Sequence, residues 1–237
     1  MKIALIGYGK MGKAIEPIAI QRGHEIVLRS VSTVELDKTT IADADVAIEF
    51  TEPSSAKHHI LTCFEAGTPV VVGTTGWYGD YDEIHRKQKE TNSALLASTN
   101  FSLGVNLFFE INHRLAALMN QQDQYDMAIT EVHHTEKLDA PSGTAISIAE
   151  GIIDSVDRKK EWTDSHSHGS HQIQIVSERE VNVPGTHRVT YNSAVDSISI
   201  EHVAHNRKGF ALGSVIAAEF IQGKSGIYTM KDVLNLS

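Results

Sequence analysis

Residues 131 to 145 bring together groups that move protons and hold anions: Glu131-Val132-His133-His134-Thr135-Glu136-Lys137-Leu138-Asp139-Ala140-Pro141-Ser142-Gly143-Thr144-Ala145. An imidazole with an unperturbed pKa of about 6.5 can give or take a proton near neutrality, which His133 and His134 both offer. Lys137 adds a fixed cation. Ser142-Gly143-Thr144-Ala145 opens a helical pattern, with Ile146, Ala149, Ile152 and Ile153 at helical spacing. The first-turn N–H groups of such a helix attract an anion. The chemistry on offer is proton delivery to a small bound carboxylate. A plainer reading uses the same residues: solvated loop histidines, and Pro-Ser-Gly-Thr as ordinary helix capping.

What positions this stretch is an apolar run before it, Met127-Ala128-Ile129-Thr130, which reads as a strand. Further upstream the chain alternates. Lys2 to Ile6 is a short buried strand leading into Gly7-Tyr8-Gly9-Lys10-Met11-Gly12 and a helix with Met11, Ala14, Ile15 and Ile18 on one face. After a first strand and at a helix start, G-x-G-x-x-G is a dinucleotide fingerprint: its glycines permit a tight turn and a close approach to pyrophosphate. Pro17 should kink or shorten that helix. Strands follow at Glu25–Leu28, Asp45–Phe50, Pro69–Val72 and Ala94–Ala97, with helices near Ser55–Ala66 and Asp80–Thr91 between them. This alternation predicts a parallel sheet whose carboxyl edge carries the loops at 7–12, 73–76 and 98–101. Cys63 reads as a core residue, and His58 and His59 as surface residues.

After a long helix from Gly104 to Asn120 and the helix ending near Val156, the pattern changes. Residues 157–171 read as a charged loop whose His166, His168 and His171 lack a metal-ligand scaffold. Gln172–Glu178, His187–Tyr191 and Ser197–Val203 read as strands of an open mixed or antiparallel sheet, followed by a helix from Leu212 to Phe220 and a terminal element from Gly226 to Leu234. The chain has 237 residues, 41% hydrophobic and 22% charged, enough for one or two cores. Its net charge of −9 argues against nucleic-acid binding. No apolar run has the length of a membrane span, and no secretory signal precedes the first strand. A single cysteine fits a cytoplasmic location.

In this order the pieces resemble the 4-hydroxy-tetrahydrodipicolinate reductase family. The resemblance rests on Glu131-Val132-His133-His134-x-x-Lys137-x-Asp139-Ala140-Pro141-Ser142-Gly143-Thr144-Ala145, on Val72-Gly73-Thr74-Thr75-Gly76, on Asn100-Phe101-Ser102-x-Gly104-Val105-Asn106 and on Gly7-x-Gly9-x-Met11-Gly12. It covers nearly the whole chain, with a short segment at 31–44 and an abbreviated loop from Glu178 to His187 as its departures. It implies an α/β fold: a Rossmann-like parallel-sheet dinucleotide domain (1–101 and 207–237) plus an α+β substrate and oligomerisation domain with an open mixed sheet (102–206). It implies His133 as catalytic proton donor or acceptor, Lys137 as a second donor, and His134, Gly143 and Thr144 as carboxylate binders. Gly7, Tyr8, Gly9, Lys10, Met11, Gly12, Gly73, Thr74, Thr75, Ser98, Thr99, Asn100 and Phe101 would contact the dinucleotide. No metal is implied, and the assembly would be a homotetramer.

The implied reaction is reduction of a cyclic dicarboxylate to tetrahydrodipicolinate in the diaminopimelate route to lysine. Hydride addition to a conjugated cyclic imine leaves an enamine-like or carbanion-like centre that needs a proton, which a histidine can supply. At the end of the second strand, where NAD sites carry Asp or Glu, this chain has Arg29-Ser30 and no carboxylate until Glu35. Arg29 reads either as a partner of a 2′-phosphate or as a solvated strand end, with Lys38 as a lesser helper. The missing carboxylate weighs more, so NADPH is expected to be preferred roughly ten- to a hundredfold, with NADH also used. Two rivals stand beside this reading: another nicotinamide-dependent amino- or imino-acid dehydrogenase of similar build, and a non-enzymatic dinucleotide sensor.

Overall fold

The computed structural model describes residues 1–31, 36–206 and 208–236, so Glu35 lies outside the described residues. The first stretch of elements runs β1 (Lys2–Ile6), α1 (Lys10–Gln21), β2 (Glu25–Ser30), α2 (Lys38–Ile41), β3 (Val46–Glu49), α3 (Pro53–Ala66) and β4 (Val70–Val72). A 3₁₀ turn (Tyr78–Asp80), α4 (Tyr81–Thr91), β5 (Ala94–Ala97), α5 (Leu103–Met119), β6 (Asp126–His133) and α6 (Gly143–Ile153) follow. The chain ends with β7 (Glu161–Thr163), β8 (Gln172–Arg179), β9 (Gly185–Asn192), β10 (Ser197–Ala204), α7 (Lys208–Ile221), β11 (Gly226–Tyr228) and α8 (Met230–Leu234). They form two compact units, Met1–Leu103 with Lys208–Ser237, and Gly104–Arg207. No helix among the described residues is long and apolar enough to cross a membrane.

The first unit is a six-stranded sheet in the order β11-β5-β4-β3-β1-β2, every pair parallel. Its strands are apolar on both faces because helices cover both. Ile3 and Leu5 turn to one side with Ile15 and Ala19 of α1 and Val215 and Ala218 of α7. Ala4 and Ile6 turn to the other with Ile60, Cys63 and Phe64 of α3 and Ile84 of α4. Burial also pushes the Cys63 thiol pKa up, so it packs as a small inert apolar group. The strand order reverses between β1 and β3, and such a switch point opens a crevice at the carboxyl ends of the strands.

Three local expectations change. The sheet has six strands rather than five, because Gly226–Tyr228 pairs in parallel with β5 and forms the edge. The first helix runs through Pro17. Pro17 and Lys13 are both exposed, so water can serve the Lys13 carbonyl that loses its helical N–H. His59 is not on the surface: it is mostly buried against Glu49, whereas His58 is exposed.

The second unit has a mixed sheet in the order β10-β9-β6-β8-β7, with β6–β8 and β7–β8 parallel and the other pairs antiparallel. The strand β7 lies inside the stretch read as loop; Trp162 packs at the edge of the core and ties it down. One face is covered by α5 and α6, which bring Phe108, Ala116, Ala145, Ile148 and Ile152 onto Met127, Ile129, Ile175, Val189 and Tyr191. The other face carries Ala128, Thr130, Val132, Val176, Arg188 and Thr190, all less deeply buried. His166, His168 and His171 are exposed.

Candidate active site

In the first unit the register Ile6↔Glu49 sets the ends of β1 and β3 side by side, and the Phe50 N–H donates to the Ile6 carbonyl at 2.8 Å. Gly7 follows with φ +92°, and a Cβ there would lie 2.0 Å from the Phe50 carbonyl oxygen. Only glycine lets the chain leave β1 in this direction. Gly12 is equally constrained, since its Cβ would meet the Gly7 oxygen at 2.7 Å, whereas Gly9 faces open space. Two cavities share Gly9, Phe50 and Thr51. One, of about 430 Å³, adds Lys10, Met11, Pro53, Gly73, Thr74 and Thr75. The other, of about 370 Å³, adds Gly7, Tyr8, Ser30, Val31 and His59. A glycine-walled crevice at a switch point and the start of a helix fits the pyrophosphate and nucleoside of a dinucleotide.

Not every expected contact comes to these cavities. Ser98, Thr99, Asn100 and Phe101 line neither. Phe101 is a core residue, 5.8 Å from the Phe50 ring, and the Ser98 hydroxyl donates to the Asn100 carbonyl within the turn. Arg29 is also elsewhere. Its guanidinium is held by Glu16 and lies over the Tyr8 ring, while the Tyr8 hydroxyl donates to the same carboxylate. Arg29 and Tyr8 together hold the Glu16 carboxyl below its usual range. Phe50, Thr51 and His59 were not singled out from the sequence. They follow β3 on the carboxyl edge, so the strand-end rule alone would have found Phe50 and Thr51.

In the second unit the covered face of the sheet changes character along one row. Met127 and Ile129 of β6 continue as Glu131 and His133; Tyr191 and Val189 of β9 continue as His187 and Gly185; Ile173 and Ile175 of β8 continue as Ser177 and Arg179. Glu131 pairs in register with His187 on one side and Ser177 on the other. The apolar face thus ends in a polar row at the carboxyl end of β6.

Glu131 is fully buried. Its Oε1 accepts the Ser142 N–H at 2.9 Å and the Ser177 hydroxyl at 2.8 Å. Its Oε2 faces His133 Nδ1 at 3.4 Å and His187 Nε2 at 3.7 Å. Burial would raise this carboxyl pKa, but the hydrogen-bonding groups of His133, Ser142 and Ser177 outweigh it and hold it at about 2. His187 goes the other way: burial, with His133 beside it, lowers its imidazole to about 4, so it is neutral at neutral pH. Ser142 caps α6 by accepting the Ala145 N–H at 3.2 Å. Gly143 is exposed and Thr144 half-buried at the helix start, where the first-turn dipoles favour an anion. Lys137 is held by Asp139 at 2.8 Å, on a loop that Arg179 clasps through the Lys137 and Asp139 carbonyls. His134 opens on a further cavity of about 420 Å³ with Asn182, Pro184 and His205.

His133 and Glu131 therefore stand on one strand end, with the start of α6 tied to them through Ser142. Glu131, Ser177, Arg179 and His187 were missing from the sequence-based site. The available signal was the alternation Gly185, His187, Val189, Tyr191, which puts a histidine on an apolar face. Among the described residues, Glu131, His133 and His187 form the one group whose side-chain atoms come as close together as metal ligands do. Two donors occupy Oε1 of the carboxylate while Oε2 faces the two imidazoles, and the group reads as an acid–imidazole cluster.

Residues 1–101 match the family model described as the N-terminus of dihydrodipicolinate reductase, and residues 104–234 match the model for its C-terminus. The chain is 47% identical to a 4-hydroxy-tetrahydrodipicolinate reductase of Christiangramia forsetii, over 99% of this chain and 98% of that one. It is 35% identical to one of Alkaliphilus oremlandii, over 96% and 95%. In fold it is similar to a dipicolinate-bound dihydrodipicolinate reductase from Paenisporosarcina sp. TG-14, with a TM-score of 0.82 at 20% identity over 97% of each chain. A weaker likeness, TM-score 0.60 at 10% identity over 96% and 94%, is to an amine dehydrogenase from Mycobacterium smegmatis.

Proposed function

Because the chain belongs to the dihydrodipicolinate reductase family, we propose that it reduces 4-hydroxy-tetrahydrodipicolinate to tetrahydrodipicolinate, the 4-hydroxyl leaving as water, with residues 131–145 receiving the substrate. The observation that carries this reading is the joining of His133 to the start of α6 through Glu131 and Ser142. The nicotinamide dinucleotide supplies the hydride. Gly7, Tyr8, Gly9, Lys10, Met11 and Gly12, with Gly73, Thr74 and Thr75, hold it; Ser98 to Phe101 shape the adjoining strand end. His133 delivers the proton. His134, Gly143 and Thr144 bind the ring carboxylates, the latter two with first-turn N–H groups. Lys137 exchanges Asp139 for a substrate carboxylate and acts as the second donor. On this proposal the enzyme works in lysine biosynthesis, in the cytoplasm. Oxidation of NADPH followed at 340 nm with freshly generated substrate tests it; turnover of aspartate or homoserine and none of this substrate would favour the dehydrogenase rival.

NADPH is the preferred nucleotide on this proposal and NADH is also used, since β2 ends in Arg29-Ser30 and not in a carboxylate; Glu52, which lines the cavity beside Ser30, comes from the start of α3. Arg29 must leave Glu16 to meet a 2′-phosphate, and Glu16 remains nearby as a repelling charge. The preference therefore falls at the low end, about tenfold in kcat/KM. Arg29→Ala should bring the NADPH/NADH ratio towards one, and Glu16→Gln should raise it. A wild-type preference for NADH, or an unchanged ratio in Arg29→Ala, would remove Arg29 as the reader.

The open face of the second sheet, with Val132, Val176 and Val203 among threonines, packs against copies of itself in a homotetramer on the same proposal. Light scattering at micromolar concentration should give four times the mass of one chain; a monomer refutes it.

A further inference from the structure

The covered face of the second sheet would be simpler to build without Glu131. The position continues the apolar stripe Met127–Ile129, and an isolated buried carboxylate is costly unless hydrogen bonds and charges compensate it. The fold keeps one there and divides its two oxygens. Oε1 is committed to the Ser142 N–H and the Ser177 hydroxyl. Oε2 and His133 Nδ1 are both buried, neither has a hydrogen-bond partner among the described residues, and they face each other at 3.4 Å. The opposite ring nitrogen, Nε2, points to Gly185, where an added Cβ would stand 3.1 Å away. One nitrogen meets a carboxylate and the other meets space that glycine leaves open.

We infer that Glu131 is a positioning residue for the proton donor: it fixes the neutral His133 ring with its hydrogen on Nδ1, leaving Nε2 as the atom that loads and delivers the proton. This inference rests on the reading of His133 as proton donor. Oε2 sets the orientation of the ring, and Oε1 holds the start of α6 at a fixed distance from that imidazole. Donor and carboxylate-binding turn are set by one side chain. The other charged or titratable groups around the pair are His187 on β9, Arg179 on β8 at 3.8 Å from Glu131, Lys137 and Asp139 on the following loop, and His202 on β10 beyond His187. Among the described residues only Glu131 presents an anionic oxygen within ion-pair distance of Nδ1.

Glu131→Gln separates charge and tautomer from shape. The amide oxygen can keep the Ser142 and Ser177 bonds, which turns the amide NH₂ towards Nδ1 and forces the ring hydrogen to Nε2. A wrong histidine tautomer of this kind is known to be expensive in acid–base catalysis. The expected result is a kcat about 10²-fold lower with a KM for the dicarboxylate within about threefold of wild type.

Nitrogen-15 NMR of histidine-labelled full-length enzyme reads the tautomer without any turnover. Wild-type His133 should carry its neutral-form hydrogen on Nδ1, and Glu131→Gln should move it to Nε2. An Nε2–H tautomer in the wild type overturns the inference, and needs no variant to fold. An unmoved tautomer in a folded Glu131→Gln overturns it as well. A moved tautomer with unchanged kcat would uphold the positioning by Glu131 and remove His133 from proton transfer, so the two readings fail separately.

Discussion

His133→Ala should lower kcat by about 10²–10⁴-fold, the range for loss of a positioned general acid, while nucleotide affinity stays at the wild-type value. The size follows from the surroundings. His133 is 8% exposed at the last residue of β6, so bulk water is a poor substitute for its proton. Lys137 is tethered to Asp139 and sits four residues further along the chain, so it cannot take over without releasing that partner. Lys137→Ala should instead raise KM along with a smaller fall in kcat, because its cation serves carboxylate binding too. Both are read by initial rates at 340 nm. A His133→Ala enzyme with near-wild-type kcat would end histidine acid catalysis in this protein and return Lys137 to first place.

Gly7→Ala should cost at least about 100-fold in NADPH affinity, roughly 2.7 kcal/mol, or unfold the first unit outright. Two penalties coincide there. The backbone sits at φ +92°, and the new Cβ would fall 2.0 Å from a carbonyl oxygen that belongs to the end of β3. That carbonyl cannot retreat freely, because the Phe50 N–H is bonded to Ile6 across the β1–β3 ladder. Gly9→Ala is the informative companion. Its Cβ meets nothing within 4 Å, so the variant should keep wild-type stability and still bind nucleotide more weakly, through blocked approach of the pyrophosphate. Isothermal titration with NADPH and a thermal melt separate the cases. Gly7→Ala binding within threefold of wild type would show that the loop is not the cradle.

The parts of this fold that could be read from sequence are those whose cause is local. A strand, three glycines at fixed offsets and a helix stripe specify the Gly7–Gly12 turn almost without reference to the rest of the chain. The same holds for Ser142 as a cap, since the hydroxyl serves an N–H three residues on. What escaped was decided at long range. Gly226–Tyr228 has no periodicity to announce a strand, and becomes one because β5 offers an unpaired edge. His187 joins Glu131 through cross-strand register, 56 positions away in sequence. Arg29 shows the limit most sharply: its place at the end of β2 was correctly read, but its partner Glu16 lies on α1, and only the packing of helix on sheet brings them together. Pro17 fails as a helix breaker for a related reason, because exposure of that face lets solvent do what the helix cannot.

The first unit is assembled from both ends of the chain, with the whole second unit inserted between them. The consequence lies in genetics and biosynthesis. Every glycine of the nucleotide loop is translated before the second unit, yet Ala211, Val215, Ala217, Ala218 and Ile221, which seal one face of that sheet, come off the ribosome only after it. Until they do, the nascent sheet shows water an apolar surface and lacks its edge strand, a state that calls for a chaperone rather than a ligand. A stop codon just after residue 207 therefore abolishes nucleotide binding although it deletes no residue of either cavity.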